Sequence, residues 1–190
     1  MNPSTDSVEA ALMQRLAGGE DLALNELMHL WSTRITAFLA RMTGDDHAAN
    51  DLAQDTFVRV YQHRASYRTT QAFSTWIFHI AANLARNHAR WRSRHPESLM
   101  SQETLADLPH TSAADAPDEA AMRAEQASAV RAAVLALPDD LREPLVLSVY
   151  ESLPHVEIAA ILGLSAKAVE MRVYRARQLL RERLMPNQTA

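Results

Sequence analysis

Residues 137–184 constrain the fold of this chain most strongly, because two helical patterns meet there at a glycine. The first pattern is short, VEIAAIL at residues 156–162, and Gly163 follows it. Glycine readily adopts the left-handed conformation in which many helices end. Ser165 is then placed to cap a second helix, because its hydroxyl can accept a hydrogen bond from the first turn. The apolar residues of this second helix recur every three or four positions, which predicts a buried stripe made of Val169, Val173, Ala176, Leu180 and Leu184.

The second helix is basic away from its apolar stripe. Residues 165–185 carry six basic side chains against two acidic ones. Upstream, residues 139–152 form a further helical pattern, with apolar positions at Leu141, Leu145, Val146 and Val149. Short helices, a glycine turn and a basic second helix match the layout of a helix-turn-helix that reads the DNA major groove. A basic amphipathic helix alone would fit a solvated surface equally well, so the turn carries this prediction.

The rest of the chain also reads as helix. The patterns predict helices near residues 8–17, 22–43, 47–64 and 74–93, and helix resumes near residue 118. Residues 95–117 are rich in Pro, Ser, Thr and Asp and show little periodicity, as linkers do. We therefore predict an all-α chain with two small helical domains, residues 1–94 and 118–190, joined by a flexible acidic linker at 95–117.

Charge alternates along the chain. Residues 1–55 carry three Arg against nine acids, whereas residues 56–96 carry seven Arg and no acid. Residues 97–125 are acidic again, and residues 165–185 are basic. The chain has a net charge of −4, so two local basic faces indicate two nucleic-acid contacts rather than general affinity for polyanions.

The first basic face lies within residues 73–94, FSTWIFHIAANLARNHARWRSR. Asn83, Arg86, Asn87 and Arg90 recur at spacings of three and four, along one polar side of the predicted helix. Arginine can hold phosphates, amides can read base edges, and aromatic rings can stack on unpaired bases. The aromatic residues of this segment fit core packing at least as well as DNA contact.

Taken in series, three segments resemble extracytoplasmic-function (ECF) RNA polymerase sigma factors. Residues 51–61, DLAQDTFVRVY, resemble the second conserved region, residues 73–94 the helix that melts and reads the −10 element, and residues 137–184 the domain that reads the −35 element. The resemblance covers residues 8–185, and its expected subgroup is the branch that controls heavy-metal (cobalt–nickel) resistance. It implies a transcription initiation factor that directs core RNA polymerase to promoters and helps to melt them.

The resemblance also implies sites. Core polymerase would bind the acidic face made of Asp51, Gln54, Asp55 and Arg59. The −10 element would contact the loop residues Tyr67, Arg68 and Phe73, and the helix residues Asn83, Arg86, Asn87 and Arg90. The −35 element would contact Lys167, Ala168, Glu170, Met171, Arg172 and Arg175. This chain departs from the usual family pattern at Ala168, Glu170 and Met171, so base preferences at −35 cannot be transferred from relatives.

The expected partners are core RNA polymerase, promoter DNA and an anti-sigma factor, typically membrane-anchored. We expect a cytoplasmic chain, monomeric or in a 1:1 complex with its inhibitor, without membrane insertion, cofactor or metal. It has no cysteine, only four glycines, and no two histidines three or four positions apart. These counts disfavour a thiolate zinc site, a phosphate-cradling loop and a helical metal site, and we predict that it is not an enzyme.

Two other functions remain open from the sequence. A one-component helix-turn-helix regulator would bind duplex operators without polymerase, and residues 118–190 alone would allow it. An adaptor protein would use its amphipathic helices for protein contacts and would lack salt-sensitive DNA binding.

Overall fold

The computed structural model describes residues 3–95 and 117–185, with side chains described for 8–95 and 121–185. Every regular element in these ranges is helical, which confirms the all-α prediction. The helices are α1 (Pro3–Ala17), α2 (Leu22–Thr43), α3 (Asp46–Gln62), α4 (Phe73–Arg94), α5 (Pro117–Leu135), α6 (Asp139–Val149), α7 (His155–Leu162) and α8 (Ala166–Leu184). A single turn of 3₁₀-helix, Arg64–Ser66, follows α3. Apart from His95 and Pro117, the predicted linker lies outside the described residues. None of the described helices is long and apolar enough to cross a membrane.

An aromatic cluster holds α2 against α4. Trp31 meets Phe73 and Phe78 edge-on, at ring-centroid distances of 5.5 and 5.8 Å, and Phe38 meets Phe78 at 5.3 Å. Edge-to-face pairs at such distances stabilise a core beyond the burial of their area. The indole Nε1 of Trp31 donates a hydrogen bond of 2.8 Å to buried Glu9, so the one polar atom of that ring is satisfied. The cluster therefore fixes the position of α4 relative to α2.

The turn between α2 and α3 orients the third helix. Gly44 has φ of 72° and closes α2 with its N–H bonded to the carbonyl of Ala40. Asp45 then caps α3, because its carboxylate accepts hydrogen bonds from the backbone N–H groups of His47 and Ala48. As a result, α3 packs back on α2 and turns its polar side to solvent.

Helices α6, α7 and α8 form the predicted helix-turn-helix. Gly163 has φ of 68° at the end of α7, and the Ser165 hydroxyl accepts from the N–H of Ala168 at the start of α8. Both details agree with the sequence-based prediction. Buried apolar side chains from the three helices meet in the core of this domain: Leu145, Val146, Leu147, Ile158, Ile161, Val169, Val173 and Ala176.

Four details of the predicted C-terminal helices differ in the structure. Helix α6 ends at Val149 rather than at residue 152, and the Val149 side chain is exposed. The burial of α8 ends at Ala176, so Leu180 is only partly buried and Leu184 is exposed. Periodicity identifies the apolar side of a helix, but it does not show where the neighbouring helices end.

The two helical domains pack on one another. Helix α4 contacts α7, and α2 contacts both α5 and α6, so that one hydrophobic cluster includes residues from both domains. This contact joins the helix that carries the predicted −10 residues to the domain that carries the predicted −35 residues.

Candidate nucleic-acid and protein interfaces

The outer face of α3 presents the predicted polymerase-binding residues. All four are exposed: Asp51, Gln54, Asp55 and Arg59. The opposite side of α3 is buried through Ala53, Phe57 and Val60. Val58 lies between the exposed polar residues and is 51% exposed. An exposed valine among acidic groups makes this face mixed, with an apolar centre and a charged rim, as protein interfaces commonly are.

The three predicted −10 residues between α3 and the start of α4 differ in how far they are exposed to solvent. Arg68 is exposed, and half-buried Tyr67 donates its hydroxyl to the Gln71 carbonyl at 3.0 Å. Phe73 is 0% exposed and packs edge-on against Tyr67 at 6.0 Å as well as against Trp31. The prediction that Phe73 itself contacts DNA is therefore not consistent with this structure, because its ring fills the core at the start of α4.

On α4, the predicted −10 face borders a cleft shared with α3, with polar groups at its rim and apolar side chains inside it. This cleft has a volume of about 170 Å³. Its lining residues are Arg59, His63, Ile80, Asn83, Leu84 and Asn87. Arg59, which the family resemblance places in the polymerase-binding face, thus lies beside Asn83 and Asn87, which it places in the DNA-binding face. The two predicted surfaces meet at this cleft.

Arg86, at one edge of the same face, points to the C-terminal domain. Its Nη1 donates to a carboxylate oxygen of Glu143 at 2.8 Å, and its Nη2 donates to the side-chain oxygen of Asn83 at 2.5 Å. Burial raises the pKa of Glu143, and the Arg86 guanidinium opposes that rise. Asn87 and Arg90 remain exposed. The four residues thus share one face of α4, but Arg86 is already held by an acid.

A second carboxylate joins the domains in the same way. Glu151, whose side chain is buried, accepts from Nε of Arg34 at 3.2 Å. The Arg34 guanidinium also lies 4.3 Å from the centre of the Trp31 ring, a cation–π contact. Burial raises the pKa of Glu151, while Arg34 and Arg41 lower it. Both ion pairs bring an arginine of the first domain to an acid of the second.

Two further hydrogen bonds cross this contact. The hydroxyl of Thr75 donates to the carboxylate of Glu157 at 3.2 Å, and Nδ1 of His79 donates to the carbonyl of Ile161 at 3.0 Å. Both donors belong to α4 and both acceptors to α7. Helices α4 and α7 are thus joined by polar contacts as well as by the shared hydrophobic cluster.

The predicted −35 residues lie along the solvent side of α8. Lys167, Glu170, Met171 and Arg175 are exposed, whereas Ala168 and Arg172 are half-buried. Lys167 and Glu170 form an ion pair at 3.0 Å. Arg172 lines a cavity of about 470 Å³ between the domains, together with Arg86, Arg90 and Glu143. Residues assigned to the two DNA elements therefore share one cavity.

The sequence reasoning missed three exposed residues on these faces. They are Val58 on α3, Trp91 on α4 and Tyr174 on α8, exposed by 51, 50 and 57%. Helical phase could have identified Val58 and Tyr174, because each lies between polar residues at spacings of three or four. The same pattern holds for Trp91, whose neighbours at those spacings are Asn87, His88, Arg94 and His95.

Comparison with known proteins gives two family matches that follow the two domains. Residues 27–95 match Sigma-70 region 2, and residues 127–180 match Sigma-70 region 4. Helices α3 and α4 lie inside the first match, and most of α8 lies inside the second.

Relatives of similar length extend the match over nearly the whole chain. The RNA polymerase sigma factor CarQ of Myxococcus xanthus is 35% identical over 174 residues, 90% of this chain and 95% of CarQ. The RNA polymerase sigma-H factor of Pseudomonas aeruginosa is 29% identical over 192 residues, 96% of each chain. A solved structure of CnrH in complex with the cytosolic domain of CnrY is similar with a TM-score of 0.72 and 25% identity, covering 95% of this chain and 99% of that one.

Proposed function

Because this chain belongs to the sigma-70 family of RNA polymerase sigma factors, in its ECF group, we infer that it directs core RNA polymerase to a specific set of promoters and helps to melt them. The observation that carries this function is the presence of three distinct faces on one chain. The mixed face of α3 suits a protein partner, the Arg and Asn face of α4 suits promoter DNA near −10, and the basic face of α8 suits a major groove.

For core binding we propose the exposed face of α3, with Asp51, Gln54, Asp55 and Arg59 around Val58. An acidic rim attracts a basic partner surface and speeds its association, while an apolar centre stabilises the bound state. The rigid support of α3 by α2 favours a preformed site.

For promoter binding we propose two sets of residues. Near −10 they are Tyr67, Arg68, Asn83, Arg86, Asn87 and Arg90. At −35 they are Lys167, Ala168, Glu170, Met171, Arg172 and Arg175, with Tyr174 added from its exposure. The corresponding domain bounds are 1–94 and 118–190, with residues 95–117 as the connection.

We also propose control by an anti-sigma factor in a 1:1 complex, action in the cytoplasm and no catalytic step by the chain itself. The likeness to CnrH, solved with the cytosolic domain of CnrY, supports a protein inhibitor. The narrower subgroup, heavy-metal resistance, stays a prediction. A one-component regulator is less well supported, because it accounts for the C-terminal domain alone and leaves the region 2 match at residues 27–95 without a role.

Transcription with purified core polymerase tests this function directly. With the protein added to fragmented source-genome DNA, we expect new RNA 5′ ends that share −35 and −10 elements. The same reaction without the protein is the control. If no protein-dependent starts appear while duplex fragments are still retained without polymerase, the regulator is the better description.

Replacing Asp55 with Ala should weaken core binding roughly twofold to tenfold, because the change removes one charge from the rim of the α3 face. Affinity for labelled core polymerase, measured at two salt concentrations, checks this. Glu125→Ala removes an equally exposed acid from α5 and should leave the affinity unchanged. Equal affinity for the Asp55 variant and the wild type would remove Asp55 from the interface.

Replacing Arg175 with Ala should weaken holoenzyme binding to a duplex that contains the −35 element by about tenfold. If Arg175 contacts a phosphate, the loss of affinity will be similar for all DNA sequences. The slope of log affinity against log salt concentration will then become shallower by about one. If it contacts a base, discrimination at one position will relax instead. Arg15→Ala, a matched loss of charge far from α8, is the control, and unchanged −35 occupancy would exclude Arg175 from the reader.

A further inference from the structure

We propose that Trp91 and His95, at the end of α4, form a stacking platform for an unpaired base of promoter DNA. This contact adds to those assigned above and rests on the proposed function. Trp91 differs from the other aromatic residues of its helix. Phe73 and Phe78 are fully buried and Trp76 is half-buried, whereas half of the Trp91 side chain is exposed.

The exposed ring is held in place. The rings of Trp91 and His95 stack with centroids 4.9 Å apart and planes 21° from parallel. Nδ1 of His95 also donates to the main-chain carbonyl of Trp91 at 3.0 Å. A ring supported in this way loses little conformational freedom when a flat ligand covers it, so stacking costs less entropy than it would on a mobile side chain.

The position of the platform extends the DNA-facing side of α4. At 100° per residue, Asn83, Asn87, Arg90, Trp91 and Arg94 lie within one side of the helix. Trp91 lies at the edge opposite Arg86. The second domain contacts the Arg86 edge and leaves the Trp91 edge exposed.

The charge around the platform identifies its ligand. Arg90 and Arg94 are exposed beside Trp91, and Arg92 is half-buried. Residues 56–96 include no Asp or Glu. The acids of α6 near this end of α4, Asp139, Asp140 and Glu143, line the cavity on the Arg90 side, away from Trp91. An aromatic face bordered by guanidinium groups fits a base and its adjoining phosphates, which is the usual composition of a site for single-stranded nucleic acid.

Holoenzyme binding to two probes tests the platform. The probes are a fluorescently labelled non-template single strand from the −10 region of a promoter found by transcription, and the same sequence as duplex. Trp91→Leu should weaken single-strand binding at least fivefold, with little change for duplex and in the salt dependence. Trp91→Phe should keep most of the affinity, because a ring remains. Arg94→Gln should weaken both probes and lower the salt dependence.

Three results would overturn the platform: single-strand affinity of Trp91→Leu equal to that of the wild type, equal losses for Leu and Phe, or weaker binding of core polymerase, which would make Trp91 a protein contact. Failure of the wild-type protein to support any transcription would count instead against the proposed function.

An independent observation, the contact between the domains, carries a second inference. The structure assigns to the C-terminal domain an autoinhibitory role: when no DNA is bound, Glu143 pairs with Arg86 and blocks it from binding a phosphate. Arg86 is one of the proposed −10 residues, and a buried carboxylate takes the place that a phosphate would need. This inference also rests on the proposed function.

The second ion pair offers a way to open this contact without touching a proposed DNA residue. Removing Arg34 would leave buried Glu151 without its hydrogen-bonded arginine, with only the charge of Arg41 to oppose its burial, and a buried carboxylate that loses its partner is strongly unfavourable. Separating the domains hydrates it. The loss of a positive charge alone would weaken DNA binding, so tighter binding by an Arg34 variant cannot come from charge.

The free full-length protein is the sample for this test. Arg34→Gln should raise the affinity for the same single strand at least threefold, while Arg15→Gln, with the same loss of charge outside the contact, should not.

The chain lacks cysteine, so cysteines introduced at exposed Gln14 and Glu182 allow spin-label distances between the domains to be measured. We expect one short distance in the background with Arg34 intact and a longer, broader distribution with Arg34→Gln. A broad distribution already present with Arg34 intact, or no gain in affinity, would overturn the inference.

Discussion

The packing around Trp31 supports most of what this chain presents to its surroundings. The ring contacts Phe73 and Phe78 of α4 edge-on, donates to Glu9 of α1, and lies beneath the Arg34 guanidinium that reaches Glu151. One side chain therefore couples α1, α2 and α4 to the second domain. The faces of α3 and α4 keep their relative positions because the aromatic core beneath them admits few alternative packings.

The contact between the domains depends on carboxylates that are costly to bury. Glu143 and Glu151 both have raised pKa values because of burial, and each is compensated by an arginine of the other domain. Such pairs contribute little net stability, but leaving one member alone is strongly unfavourable. They therefore favour a specific arrangement of the two domains more than they add to its stability.

Much of the architecture could be predicted from local sequence patterns. The features that could not be predicted are contacts between residues far apart in the chain. The glycine and serine at 163 and 165 gave the helix-turn-helix turn, and the spacing on α4 gave its polar face. The family resemblance placed Phe73 among the −10 contacts, yet its ring is in the core at the start of α4, because no local pattern shows that Trp31 lies opposite it. The ion pairs Arg86–Glu143 and Arg34–Glu151 join residues 57 and 117 positions apart, so no periodicity could have predicted them.

Net charge varies along α8, because Lys167 and Glu170 form an ion pair at its start. The charges of the pair nearly cancel at the start of the helix, while Arg175, Arg177, Arg181 and Arg183 leave its later turns strongly positive. On the function proposed above, a phosphate backbone would be attracted first by the later turns, and the helix start would meet the base edges afterwards. Approach and reading are separated along one helix. Promoter choice would then depend on the start of α8, where the Lys167–Glu170 pair leaves little net charge to retain a wrong base.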